Sequence, residues 1–177
     1  MTNSATRSRN GGVLTIVLFT VYALLLVGLI LFKFPFDYGV QTIHRDVNLI
    51  PFAGSVTKNG SFASGEVLEN VLAFVPLGIY LGMVRSHWSF WLQLLVIVAT
   101  TVIFETIQYS FAIGRADITD VLGNTLGGIV GIGIYAAVAR GLRSRTNRVM
   151  NIICVVLTVL VVLFWAYLAL HSFVRTR

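Results

Sequence analysis

Five apolar stretches dominate the chain, separated by short polar links and one long one. Val13 to Phe32 is an unbroken run of twenty residues. At about 1.5 Å per residue this is enough to cross a hydrocarbon core of ~30 Å. It predicts an uncleaved first helix over 13–32, because the run is too long for the apolar region of a secretory signal. KFPFDYG follows it in place of a small-residue cleavage site. Further runs predict helices at about 66–84, 88–113, 117–139 and 150–170. Pro76 falls inside the second and should kink it, since it removes a backbone donor. Trp88 and Trp91 at the entry of the third helix, and Trp165 and Tyr167 near the end of the fifth, suit interfacial anchors. The expected fold is all-α: a polytopic transmembrane bundle of five helices forming one domain over 13–177, after a flexible cytoplasmic segment at 1–12.

Residues 33–65 form the long connection, punctuated by Pro35, Gly39, Pro51, Gly54, Gly60 and Gly65. Within it NLIPF, Asn48 to Phe52, is apolar enough to lie against the membrane surface. A loop of this length is either functional or a passive connector. Gly123, Gly127 and Gly131 recur at every fourth position and give the fourth helix a flat face. With Gly78 and Gly82 on the second helix, they predict close packing of the fourth helix against the second. No strand precedes these glycines and their spacing is not that of a nucleotide-binding turn, which excludes a phosphate loop.

Composition agrees with the pattern. The 177 residues are 56% hydrophobic and only 11% charged, with mean hydropathy +0.86, against about 25% charged in soluble domains. The chain is therefore an integral membrane protein. A net charge of +6 would suggest a nucleic-acid partner in a soluble protein, but here Lys and Arg follow membrane topology and that partner is excluded. The lone Cys154 permits no internal disulfide. With the N-terminus in the cytoplasm, that side holds Arg7, Arg9, Arg85, Arg140, Arg143, Arg145 and Arg148 and no acid. All seven acids fall on the other side. The arginine block at 140–148 sets this orientation, and Arg175 and Arg177 oppose it.

The candidate chemistry lies mainly in one run, ETIQYSFAIGRADITDVLGNTLGGIVG, residues 105–131. A charge at bilayer depth costs at least ~2.5 kcal/mol, so Glu105, Gln108, Arg115, Asp117, Asp120 and Asn124 in one stretch form a functional hypothesis. Asn70, on the second helix, reaches a similar depth. Counting from the helix ends, Asn70 and Gln108 lie roughly 6–8 Å inside, Asn124 about 10 Å and Glu105 about 12 Å. Such groups should face one another rather than lipid. Arg115 is the natural counter-ion for Glu105 or Asp117. Asp117 also suits a helix N-terminus, where free N–H groups and the dipole favour an anion.

The blocks NLIPF, ENVLAFVPLG, ETIQ and GRADITDVLGNTLGGIVG, in this order and spacing, closely resemble the VanZ-like family of small bacterial membrane proteins, named for a teicoplanin-resistance determinant. The resemblance covers about residues 46–138. It implies a multi-pass protein of the bacterial plasma membrane with a VanZ-like core, and some members lower susceptibility to lipoglycopeptide antibiotics. The matching polar positions are Asn48, Asn70, Glu105, Gln108, Arg115, Asp117, Asp120 and Asn124. It supplies no agreed reaction, and no cofactor follows from it.

Several functions stay open. One is an external polar pocket that binds a cell-envelope amphiphile, either a lipid-linked cell-wall precursor or a lipoglycopeptide, beside membrane lipid. A second is a membrane-embedded enzyme on envelope lipid or glycan, with the partly desolvated Glu105 as general acid or base. In that case Glu105, Asp117 and Asp120 are also weak candidates for a divalent-cation site. A third is a proton-linked lipid transporter, for which a homodimer would supply the missing path. The plainer role is that the cluster ties three helices together.

Overall fold

The computed structural model describes residues 2–32, 47–52, 64–112 and 116–175. In chain order these form α1 (Thr2–Phe32), β1 (Val47–Asn48), α2 (Ser64–Val84), α3 (Phe90–Phe111), β2 (Ala116–Asp117) and α4 (Ile118–Leu142). A 3-10 turn over Arg143–Arg145 then leads into α5 (Thr146–Arg175). Among the described residues the regular structure is helical apart from β1 and β2, which pair in parallel with Val47 opposite Ala116 and Asn48 opposite Asp117.

Helix ends differ from the apolar runs where backbone chemistry decides. The segment expected to be flexible at 1–12 is helical from Thr2, because extending a formed helix adds a hydrogen bond per residue without a new nucleus. α3 starts at Phe90, since Ser89 caps it by accepting from the Leu92 N–H at 3.3 Å. It stops at Phe111 because Ala112 adopts a left-handed conformation, φ 55°.

The expected count of five separate spans is not matched one for one. Among the described residues, four helical stretches are long and apolar enough to cross a membrane: Gly12–Ile30, Val67–Val84, Phe90–Phe111 and Ile118–Val159. The fourth is 42 residues long, about 63 Å if straight and roughly twice a bilayer core. It runs through α4 and α5 together because the 3-10 turn joins them without an intervening loop. It is not straight. Arg143 takes φ 47°, ψ −113°, and the Tyr135 hydroxyl donates to Asn147 Oδ1 at 3.2 Å. Those residues would be about 18 Å apart on an uninterrupted helix.

α2 and α4 make the closest contact in the bundle, and glycine permits it. A Cβ on Gly127 would collide with the Val71 carbonyl oxygen, one on Gly131 with that of Val75, and one on Gly78 with that of Gly128. Gly123 contributes less, since a Cβ there would meet Asn70 at an ordinary 3.5 Å. On the other flank of α4, Gly128 takes the side chain of Ile97 from α3. One core cluster joins α1, α2 and α3 through Leu26, Ile30, Phe74, Leu77, Ile97 and Phe104. A second joins α1, α2 and α5 through Leu18, Ile79, Tyr80, Met83, Met150 and Cys154.

Pro76 lies within α2 and leaves the Leu72 carbonyl without its helical donor. The Tyr22 hydroxyl, from α1, donates to the next carbonyl, that of Ala73, at 2.7 Å. A neighbouring helix thus supplies polar satisfaction where the proline disturbs the ladder.

The glycine contacts yield a direct comparison. Gly131→Leu should lose several kcal/mol, at or above the ~1–3 kcal/mol typical of overpacking, because a backbone carbonyl cannot step aside. A Cβ on Gly133 meets nothing within 4 Å, so Gly133→Leu should unfold within a few degrees of the parent. Thermal unfolding in one detergent, followed by circular dichroism, measures both.

Candidate functional site

Three segments meet where α4 begins: residues 47–52, the last third of α3 and the residues that start α4. Asp117 is the N-cap of α4, and its Oδ1 accepts from the Thr119 N–H at 2.8 Å. Its Oδ2 accepts from Asn48 Nδ2 at 2.9 Å, which joins β1 to the cap by side chain as well as by backbone. The Asp117 N–H donates to Glu105 Oε2, also at 2.9 Å, from the last third of α3. The Thr119 hydroxyl accepts from the Phe52 N–H at 2.9 Å, and Asn48 Oδ1 accepts from the Ile50 N–H at 3.1 Å. Residues 47–52 of the long connection are therefore pinned to the helix start at several points. Glu105 and Asp117 are buried, at 7% and 8% exposure. They retain hydrogen-bonding partners there, which is the condition for keeping a carboxylate out of water.

The remaining polar residues occupy three other places. Asn70 Nδ2, on α2, donates to Asp120 Oδ1 at 2.6 Å, and both residues are half-buried. Asn124 Nδ2 donates to the Thr101 hydroxyl at 2.8 Å, one turn of α3 below Glu105. Gln108 Nε2 turns to α1 and donates to the Ile30 carbonyl at 2.8 Å. Gln108 and Asn124 are wholly buried, and neither Gln108 Oε1 nor Asn124 Oδ1 receives a donor among the described residues. A buried acceptor left so costs about 1–3 kcal/mol.

Of the eight polar positions singled out in the sequence, Asn48, Glu105 and Asp117 are directly joined, and Asn70 and Asp120 form a separate pair. Gln108 and Asn124 each tie α3 to another helix. Arg115, expected as the counter-ion, lies outside the described residues. Among the described residues no group of three or more His, Cys, Asp and Glu side chains is placed to hold a metal ion. Glu105 Oε2 accepts from the Asp117 N–H, and the Asp117 carboxylate accepts from the Thr119 N–H and from Asn48.

Sequence reasoning missed Thr101, Thr119, the Ile30 carbonyl and the Phe52 N–H. Thr101 carries a recoverable signal, because it precedes Glu105 by four residues and so shares its helix face. Thr119 carries a weaker one, two residues after a capping Asp. The backbone groups carry none.

Two comparisons with known proteins bear on this arrangement. The family model VanZ/LLP1 matches residues 19–140. Protein VanZ of Enterococcus faecium is 32% identical over 164 residues, which is 91% of this chain and 98% of that relative. The chain belongs to the VanZ/LLP1 family. No solved structure matches it. The matched stretch takes in every polar position from Asn48 to Asn124 and ends before α5 begins. In this VanZ/LLP1 protein the family region thus contains the whole capping network of α4, while the pairing of Thr15 with Asn151, at 2.9 Å between α1 and α5, involves residues outside it. The chain is a membrane protein.

The capping network predicts a graded mutant series. Asp117→Ala removes a cap, worth about 0.5–2 kcal/mol, and also strands the Asn48 amide, so it should destabilise by about 2–4 kcal/mol. Glu105→Ala should cost more than Glu105→Gln, because Gln keeps an oxygen for the Asp117 N–H. Unfolding in mixed detergent micelles orders the variants, and equal losses for Glu105→Ala and Glu105→Gln would remove the carboxylate from its assigned bond.

Proposed function

We propose that this VanZ/LLP1 protein crosses the bacterial plasma membrane five times with its N-terminus in the cytoplasm. Its polar end then faces outward and binds a cell-envelope amphiphile, a lipid-linked cell-wall precursor or a lipoglycopeptide. Through such binding it would contribute to teicoplanin-type resistance. The orientation is supported by charge: α2 carries Glu69 near its start and is followed by Arg85, while Arg140, Arg143, Arg145 and Arg148 cluster around the turn between α4 and α5. Basic residues of this kind collect on the cytoplasmic side.

The binding reading is carried by a contrast in exposure: the rim residues Asn48, Asn70 and Asp120 are half-buried, whereas the floor residues Glu105, Gln108 and Asn124 are buried. The floor residues bond to other helices and hold the end of the bundle together. The rim residues come from three separate segments and keep part of their surface exposed, as groups that orient a ligand do. Asn70 Oδ1 accepts no hydrogen bond from the described residues and can take a hydroxyl or amide donor from sugar or peptide. Arg115, next to β2 in sequence, supplies the matching cation for a phosphate or carboxylate. The burial of Glu105 against the Asp117 N–H favours a structural role for it over acid–base chemistry, so binding ranks ahead of catalysis.

The test is equilibrium binding of fluorescent teicoplanin and of a labelled lipid-linked precursor to the purified protein in nanodiscs. Asn70→Ala and Asp120→Ala should each weaken binding of the true ligand about tenfold or more, the loss expected for a hydrogen bond to a charged or partly buried group. Their folded fraction should stay near that of the parent. Parent-like affinity for both probes in both variants would overturn the reading.

A further inference from the structure

The end of the bundle opposite the polar rim carries five exposed arginines. Arg85 lies in the link after α2, and Arg140, Arg143, Arg145 and Arg148 surround the turn from α4 to α5. Two contacts bring these stretches together. The Tyr135 ring lies where a Cβ on Gly82 would be, three residues before Arg85, and the Tyr135 hydroxyl donates to Asn147, next to Arg148. Both stretches are also held in shape: the Arg85 carbonyl accepts from the Trp88 N–H at 2.9 Å, and the Arg143 carbonyl accepts from the Thr146 hydroxyl at 2.7 Å. The Arg85 guanidinium lies over the Trp88 ring, 5.5 Å from its centroid. The sequence holds no acid from Asn70 to Phe104 or from Val121 to Arg177. Among the described residues, none of the five guanidinium groups has a hydrogen-bond or ion-pair partner.

Membrane topology asks only for positive charge, which lysine supplies as well as arginine. Yet both lysines of the chain, Lys33 and Lys58, fall in the long connection, and this end uses arginine alone. The planar guanidinium fork matches a phosphate in two hydrogen bonds, where an ammonium acts as a point charge. Nor do the helix dipoles account for the set. Arg140 suits the last turn of α4, but Arg148 stands in the first turn of α5, where the dipole disfavours a cation and an external anion would relieve it. Position selects lipid over a soluble anion. The apolar spans of α2 and α3 end at Val84 and begin at Phe90, and exposed Phe90, Trp91 and Leu142 lie among the arginines, as at a boundary between headgroups and acyl chains. We infer that the α2–α3 link and the α4–α5 turn form a binding site for the phosphate of an anionic phospholipid. Neither the polar rim nor the direction in which the protein faces enters this inference.

The test reconstitutes the full chain in phosphatidylcholine vesicles with a trace of spin-labelled phosphatidylglycerol or spin-labelled phosphatidylcholine. Electron paramagnetic resonance then measures the motionally restricted fraction of each lipid. Phosphatidylglycerol should associate about fivefold more strongly than phosphatidylcholine, the factor that one arginine near an anionic surface supplies. Changing Arg140, Arg143, Arg145 and Arg148 together to Lys keeps the charge that topology requires, and should lower the ratio to about twofold. Arg148→Lys alone should lower it part of the way and disturbs the fold least. Equal association of the two lipids with the parent overturns the inference, whether or not the protein captures soluble polyglutamate or inorganic phosphate and whether or not any variant folds. So does a folded fourfold Lys variant that keeps the full ratio, because charge alone would then explain the preference.

Discussion

The separation between α2 and α4 is the constraint from which the rest of the polar end follows. Between helices in lipid there is no hydrophobic driving force, so contact must come from close van der Waals packing, and small residues make it possible. Gly127 and Gly131 on α4 and Gly78 on α2 place backbone against backbone, with the Val71 and Val75 carbonyls where side chains would otherwise begin. The same register sets Asn70, the residue before Val71, against Asp120, two turns before Gly127. The amide–carboxylate pair is therefore a consequence of the packing, not an addition to it. A shift of one residue along α4 would separate the pair and drive the glycine stripe out of its groove at once.

Once α4 is fixed against α2, its first turn becomes the next problem. A helix start has N–H groups without intrahelical partners, and at the edge of a bilayer water cannot be relied on to satisfy them. Asp117 accepts from the Thr119 N–H, and the Asp117 N–H itself is taken by Glu105 from α3. Asp120 sits in the same first turn, where the helix dipole favours an anion. The otherwise costly concentration of acids has a physical cause here: each carboxylate meets a donor that the helix start or a neighbouring side chain leaves exposed. The 47–52 segment is drawn into the same arrangement. Its Phe52 N–H and Asn48 amide donate to Thr119 and Asp117, which turns part of a long connection into a fixed cover over the cap.

What the sequence made legible follows from periodicity and spacing. The apolar runs located each helix, and the four-residue glycine spacing identified the α2–α4 contact. Of the polar positions in the family blocks, Asn48, Glu105 and Asp117 build the cap. The parallel bridge between β1 and β2 was not legible, because two residues carry no alternation and the pairing spans a sequence separation that no local pattern reports. Neither was the use of backbone as a partner: Gln108 could be seen to need one, but nothing marks the Ile30 carbonyl as that partner. The continuous helical path from α4 into α5 was missed for a related reason. Arginines that signal a polar link also suit a short 3-10 turn, and composition does not distinguish them.

The distribution of hydrogen bonds also separates the two roles that the polar cluster can play. A bond such as Asn124 to Thr101, wholly buried, has no alternative partner in lipid, so holding helices together is a sufficient reason for it. The Asn70–Asp120 pair is different. Both members are half-exposed, and pairs of polar or charged groups in contact with solvent contribute little to stability, about 0–1 kcal/mol. The helix dipole gives Asp120 a structural reason in the first turn of α4, but it does not account for the surface that both Asn70 and Asp120 leave exposed. The polar surface least accounted for by folding is the part that Asn70 and Asp120 leave exposed beside the cap, and the proposed recognition of a ligand is tested there.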